Sequence, residues 1–162
     1  IVLKNIGASK VFISDIFEKR LEIAETLGLT PVNPLKENLN DVVKAGTDGE
    51  GCDVLFECSG SEQAAKEMTE ITRVSGTICM VSIHKHLHEV DLRQLNFKEQ
   101  WMIGTRVYTK EEFRQAVEYC KELEKELEQI VTHIVPLEDS AKVFDMIADP
   151  ELGTIKVVID CM

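Results

Sequence analysis

Cys52-Asp53-Val54-Leu55-Phe56-Glu57-Cys58-Ser59-Gly60 is the stretch on which the reading of the fold turns. Its apolar residues run almost without interruption over the length of one strand and stop at Ser59-Gly60. That pattern is expected of a strand buried on both faces of a parallel sheet rather than one with a wet side. Residues 61–74, immediately after it, read as a helix. Ala64, Ala65, Met68, Ile71 and Val74 share one face, Ser61 stands at the N-cap and Gly76 at the stop. Residues 77–83 then return to a strand.

The alternation extends in both directions. Upstream, residues 11–14 form a short β-branched and aromatic run, followed by a helix over 18–27 with Leu21, Ala24 and Leu27 on one face and Gly28 as its C-cap. A weaker strand at 31–33 leads to a helical segment at 39–44 and a loop at 45–51 carrying Gly46, Gly49 and Gly51. Downstream, a polar stretch at 84–99 reads as a surface excursion before a short strand at 101–103. Residues 110–127 form an amphipathic helix with Phe113, Ala116, Val117, Cys120, Leu123 and Leu127 on its stripe. A strand at 130–135, a helix at 138–148 and a last strand at 155–159 complete the chain. Repeated exchange of strand and helix predicts an α/β fold with a doubly wound parallel sheet.

Composition narrows the classes. With 162 residues, 44% of them hydrophobic, the chain can bury one domain-sized core. A net charge of −11 repels phosphate backbones and anionic lipid, so nucleic acid and membrane surfaces are excluded as partners. No apolar run approaches the ~20 residues that span a bilayer, and the start lacks the plan of a signal peptide, which reads as a cytoplasmic protein. Cys52, Cys58, Cys79, Cys120 and Cys161 include no C-x-x-C pair and are expected to be reduced core thiols.

In a parallel α/β sheet, ligands bind beyond the carboxyl ends of the strands. The first such end is Asp15, placed where a Rossmann domain carries the acid that accepts the adenosine ribose hydroxyls; the same residue could simply cap the following helix. A glycine-rich phosphate loop belongs about 20 residues before that acid, which falls upstream of residue 1. The chain has no G-x-G-x-x-G, and Ile1-Val2-Leu3-Lys4-Asn5-Ile6-Gly7 resembles the last turns of the helix that comes after such a loop. The expectation is a Rossmann domain truncated at its N-terminus, lacking its first strand and glycine loop.

Gly7-Ala8-Ser9-Lys10-Val11, Asp15 with Arg20-Leu21, the 52–60 stretch, Ser75-Gly76-Thr77 and Ile103-Gly104-Thr105 resemble the zinc-dependent medium-chain alcohol and polyol dehydrogenases. Val81-Ser82-Ile83 and Asn96-Phe97-Lys98-Glu99 through Tyr108 look most like the butanediol and sorbitol dehydrogenase branch, with threonine dehydrogenase nearby. The resemblance implies NAD as cofactor, bound by Asp15 and Arg20 at the adenosine ribose and by Ser59 and Gly60 near the nicotinamide ribose. The backbones of Val81, Ser82 and Ile83 and of Thr105, Arg106 and Val107 would then meet the carboxamide. An acid at position 15 repels the extra phosphate of NADP, which favours NAD. Lys156 is a candidate for the pyrophosphate.

Two positions depart from relatives: Ser82 stands where many have glycine, and Val107 where the sorbitol enzymes have arginine. The resemblance also implies that the zinc ligands lie in an N-terminal catalytic domain outside this chain, so no catalytic residue and no metal site is expected here. On that basis residues 1–130 are a partial NAD-binding domain and residues 131–162 a segment returning toward the catalytic domain. The intact enzyme would act on a small alcohol or ketone, and the isolated chain would bind NAD weakly or not at all. Trp101 and Tyr108 flank the strand that the family uses near its subunit contact, which implies a homo-oligomer formed through the sheet edge; Trp101 reads equally well as an ordinary core tryptophan. His84, His86 and His88 alternate in a polar loop and read as solvated rather than as metal ligands. Two other classes share the pattern: a non-catalytic nucleotide-binding regulatory Rossmann module, and a methyltransferase with an acid at the end of its second strand.

Overall fold

The computed structural model describes all residues from Ile1 to Met162. Every strand pairing in it is parallel. The pairings form three ladders, β1–β2, β3–β4–β5 and β6–β7. The chain divides into two compact units, Ile1–Glu37 with Thr109–Met162, and Asn38–Tyr108.

In the first unit a short helix α1 (Val2–Asn5) precedes β1 (Phe12–Ser14), α2 (Glu18–Thr26) and β2 (Thr30–Val32). Leu21 and Ala24 of α2 are buried with Leu29 and Val32, so the amphipathic face expected of this helix is the one that packs. The later part of the unit holds α6 (Lys110–Glu122), α7 (Glu124–Ile130), β6 (Val131–Pro136), α8 (Val143–Ala148) and β7 (Lys156–Asp160). The helix expected over 110–127 is broken. Leu123, the buried residue of that stretch, leaves helical geometry at φ −109° and ψ 23° and separates α6 from α7. α6 therefore buries none of its stripe; Phe113 and Val117 stay exposed. The expected helix at 138–148 begins instead as a 3-10 turn over Leu137–Lys142.

The second unit contains α3 (Leu39–Ala45), β3 (Cys52–Glu57), α4 (Glu62–Ile71), β4 (Thr72–Met80), α5 (Leu92–Phe97) and β5 (Trp101–Gly104). Its core gathers Val43, Ala65, Met68, Ile71 and Ile78. α4 ends at Ile71, short of the expected Val74, because Thr72 adopts extended backbone and the carbonyls of Thr69, Glu70 and Thr72 are taken by the Lys98 Nζ at 2.8–3.0 Å. Val74 is consequently exposed. β4 stops at Met80 rather than Ile83, since Val81 and Ser82 both donate their amides to the carbonyl of Glu57 and turn the chain. The polar excursion carries its own helix, α5, capped by the Asp91 carboxylate.

Two expectations are corrected by burial. β3 is covered on one face only, with Val54 and Phe56 exposed on the other, so its apolar run does not mark two buried faces. All five cysteines are free thiols, but none is buried: Cys52 and Cys79 are half-covered, and Cys58, Cys120 and Cys161 are exposed. The exposed ones lie beyond β3, on the uncovered stripe of α6 and beyond β7, where apolar sequence has no packing partner.

Candidate functional site

The candidate residues fall at strand ends in both units. In the first, β1 closes at Ser14, and the Asp15 amide donates to the Val32 carbonyl at 3.3 Å, holding Asp15 at the carboxyl end of the β1–β2 ladder. Its Oδ1 accepts the Phe17 amide at 3.0 Å, the turn that leads into α2. Its Oδ2 pairs with Arg20 Nη1 at 3.3 Å. Both side chains keep part of their surface open, 27% for Asp15 and 33% for Arg20, so the carboxylate has lone pairs to offer a hydroxyl donor. Arg20 is itself fixed: its guanidinium lies 4.7 Å from the centre of the Phe17 ring, and its Nε donates to the Thr154 carbonyl at 3.1 Å. Asp15 thus closes the turn before α2 with one oxygen and faces Arg20 with the other, and it does not cap the helix, whose N-cap is Phe17 with no side-chain cap bond. A cleft of 160 Å³ beside Phe17, Arg20, Ile147 and Pro150 falls below the ~300 Å³ at which small-molecule sites begin.

In the second unit one carboxylate organises the strand ends. Glu57, last residue of β3, has a side chain only 1% exposed. Its Oε1 accepts the Ser59 and Gly60 amides, each at 2.9 Å, and the Ser59 hydroxyl at 2.6 Å. Its Oε2 accepts the Ser82 hydroxyl and faces His84 Nε2 at 3.0 Å. Burial by itself would raise the carboxyl pKa, but the hydrogen bonds from Ser59, Ser82 and Gly60 outweigh it and hold the group below its ordinary value. Gly60 has φ +68°, and a Cβ there would lie 3.4 Å from the Ile83 carbonyl, so the turn after β3 and the turn after β4 approach closely. Ser59 also reaches the Ser61 hydroxyl at 3.0 Å, and Ser61 caps α4 as expected by accepting the Ala64 amide.

Of the sequence-predicted residues, Ser59, Gly60 and Ser82 are brought together on Glu57, and Val81 joins them through its amide. Ile83 flanks the cluster with its side chain exposed. Thr105 follows β5 and donates its amide to the Met80 carbonyl at 3.0 Å, beside the same strand ends, while Arg106 and Val107 continue along an exposed stretch without regular secondary structure. Asp15 and Arg20 form a separate pair in the other unit.

Sequence reasoning misses the part played by two residues. Glu57 carries no role on sequence grounds, although an acid closing a nearly continuous apolar run is itself a signal, because a buried charge must be met by several donors. The expectation that His84 is solvated is corrected: the residue is largely buried against Glu57, with its Nδ1 buried and unpartnered, and its ring centre lies 5.1 Å from that of His88. No group of three or more His, Cys, Asp or Glu side chains suited to a metal ion is present.

A sequence profile described as zinc-binding dehydrogenase matches residues 1–122. The chain belongs to the zinc-binding dehydrogenase family. It is 34% identical over 161 residues to the 2-dehydro-3-deoxy-L-galactonate 5-dehydrogenase of Pseudoalteromonas atlantica, covering 99% of this chain and 46% of the relative. It is 33% identical to the L-threonine 3-dehydrogenase of Proteus mirabilis, covering 98% of this chain and 46% of that protein. Among solved structures, the 2R,3R-butanediol dehydrogenase of Bacillus subtilis superposes with a TM-score of 0.87 at 24% identity, over 99% of this chain and 46% of the other. The chain thus spans about half the length, 46%, of the relatives it matches. The resemblance seen in the sequence holds at the level of this zinc-binding dehydrogenase family, and the α/β Rossmann architecture holds with it. No helix is long and apolar enough to cross a membrane.

Proposed function

We propose that this chain is the cofactor-binding portion of an NAD-dependent, zinc-dependent secondary alcohol or diol dehydrogenase. The observation that carries the reading is the Asp15 carboxylate, held at the carboxyl end of β1 with one oxygen toward Arg20 and a quarter of its surface open. A dinucleotide ribose offers two hydroxyl donors, and a partly exposed carboxylate at a strand end is the acceptor that suits them. The pairing with Arg20 orients the acid without closing it. When bound, NAD supplies the hydride acceptor; everything this chain contributes is binding and orientation.

In the first unit, Asp15 accepts from the adenosine ribose and Arg20 lies beside it, while Lys156 at the start of β7 is assigned to the pyrophosphate. In the second unit, Ser59 and Gly60 are assigned to the nicotinamide ribose. The backbones of Val81, Ser82 and Ile83 and of Thr105, Arg106 and Val107 are assigned to the carboxamide, since these segments leave the carboxyl ends of β4 and β5. The zinc part of the family's chemistry finds no donor set among these side chains, so no residue of this chain is assigned to a metal. Residues 1–130 serve as the cofactor domain and residues 131–162 as the segment leading toward the catalytic part. The substrate class is a small secondary alcohol or its ketone, and the place of action is the cytoplasm.

An acid at position 15 repels a 2′-phosphate, so Asp15→Gly in the natural polypeptide carrying this sequence is expected to weaken NAD at least tenfold while NADP weakens less or strengthens. Affinities for both cofactors by fluorescence titration check this. An unaltered NAD to NADP ratio removes Asp15 from the ribose.

A further inference from the structure

We infer that Glu57 is a positioning residue for the nicotinamide end of the cofactor, acting through the two turns that its carboxylate ties together. The inference rests on the proposed cofactor reading for its consequence, and on the geometry around Glu57 for its cause. Ser59-Gly60 follows β3 and Val81-Ser82-Ile83-His84 follows β4, and neither turn has regular secondary structure to hold it. They share one carboxylate that is almost wholly buried. Oε1 binds the first turn three times, through two amides and a hydroxyl. Oε2 binds the second turn through the hydroxyl of Ser82 and the ring of His84. Ser82 and His84 also face one another at 3.3 Å, so the second turn is tied at two adjacent points.

The division between main chain and side chain gives this role a specific signature. The Glu57 carbonyl already accepts the Val81 and Ser82 amides, at 2.9 and 3.0 Å, and those bonds are made main chain to main chain in the turn after β4, without the carboxylate. Loss of the carboxylate therefore frees the Ser59 and Gly60 amides and the side chains of Ser82 and His84, while the backbone crossing from β3 to β4 stays closed. The groups released are those assigned to the nicotinamide ribose and its neighbourhood. Hydrogen bonds to a buried carboxylate are among the stronger ones in proteins, so their removal is expected to move the turns and not merely loosen them. The side chains of Asp15 and Arg20 make their hydrogen bonds to one another and to Phe17 and Thr154.

The test uses the natural polypeptide, with NAD and AMP as probes. In Glu57→Ala, hydrogen exchange at Ser59 and Gly60 is expected to speed at least tenfold while Val81 and Ser82 exchange as before. A hydrogen-bonded His84 ring N–H signal, resolved by NMR in the parent, is expected to vanish. NAD should bind at least tenfold more weakly and AMP within twofold of the parent; a merely structural role would move both ligands or neither. Ser82→Ala and His84→Ala, each removing a single tie, are expected to weaken NAD threefold or more with AMP unchanged, and they decide the matter if Glu57→Ala fails to fold. Unchanged exchange at Ser59 and Gly60, or loosened turns with NAD affinity intact, overturns the role of Glu57. A parent protein that binds neither NAD nor AMP overturns the cofactor reading and this inference with it, whereas the exchange result separates the two failures.

Discussion

Gly51 sits at φ +96°, and a Cβ built on it would lie 2.5 Å from the Ile71 carbonyl and 3.1 Å from the Arg73 amide. Both neighbours are main chain at the end of α4 and the start of β4, so neither can give way cheaply. Gly49, two residues earlier, has φ +88° and open space around the same position. The pair separates backbone strain from crowding. Gly49→Ala is expected to cost about 1 kcal/mol, the strain alone, and Gly51→Ala about 3 kcal/mol, strain plus overpacking; urea midpoints of the two variants check the gap. Glu57 gives a prediction in pH. Its folded pKa is depressed, so it contributes stability above the unfolded value near ~4.3 and loses that contribution as pH falls through the folded value. Because the His84 ring faces the same carboxylate oxygen, it is the other titratable group in contact with the site. Glu57→Gln should therefore be less stable than the parent at neutral pH, with the difference shrinking as pH drops below about 4. Thermal midpoints measured between neutral pH and pH 3 would show parallel curves if the carboxylate were not the group responsible.

The end of α4 depends on residues far along the chain. Lys98 donates to three carbonyls there, and Gln100 Nε2 donates to those of Thr69 and Thr72 at 2.9 and 2.7 Å. Burial, then the nearby Lys44 charge, lowers the Lys98 pKa, but its ammonium still meets the negative end of the helix dipole. Lys98→Met keeps the aliphatic stem and removes the donors, and is expected to lower unfolding stability by about 2 kcal/mol, with amide exchange quickened first at the last turn of α4. Such long-range capping explains why some elements are legible in the sequence and others are not. β1, α2, β2, α3, β3 and β5 are legible because each carries its own period and punctuation, such as Gly28 after α2, and Ser61 marks the start of α4 in the same way. The end of α4 is not, because Thr72 leaves the helix in answer to Lys98 and Gln100, 26 and 28 residues away. In the candidate site, Asp15 can be found from its place after a short strand. The grouping of Ser59, Gly60, Ser82 and His84 cannot, since it depends on the register Glu57↔Met80, which local pattern does not encode.

At the scale of the whole molecule, a large acidic charge coexists with much uncovered apolar surface. β5 is the clearest case: it pairs on one side with β4, it is an edge of its ladder, and all four of its residues are exposed, with Trp101 at 66% and Ile103 at 51%. Flat, apolar edges of this kind recruit another strand unless something blocks them. No lysine or proline lies in β5 to do so. We propose that a second copy pairs there. The net charge of −11 opposes that association at neutral pH, and salt reduces the opposition, since the Debye length falls from about 30 Å at 0.01 M to about 10 Å at 0.1 M. Apparent mass by light scattering is therefore expected to rise toward that of a dimer as salt is raised. Trp101→Lys should hold the protein monomeric at every salt concentration, because it places a charge on the edge that must pair and removes the largest apolar side chain from it. Phe113→Lys, on the exposed stripe of α6, should leave the mass of the assembly unaltered. If Phe113→Lys dissociates the dimer and Trp101→Lys does not, the uncovered helix rather than the sheet edge is the surface that copies share.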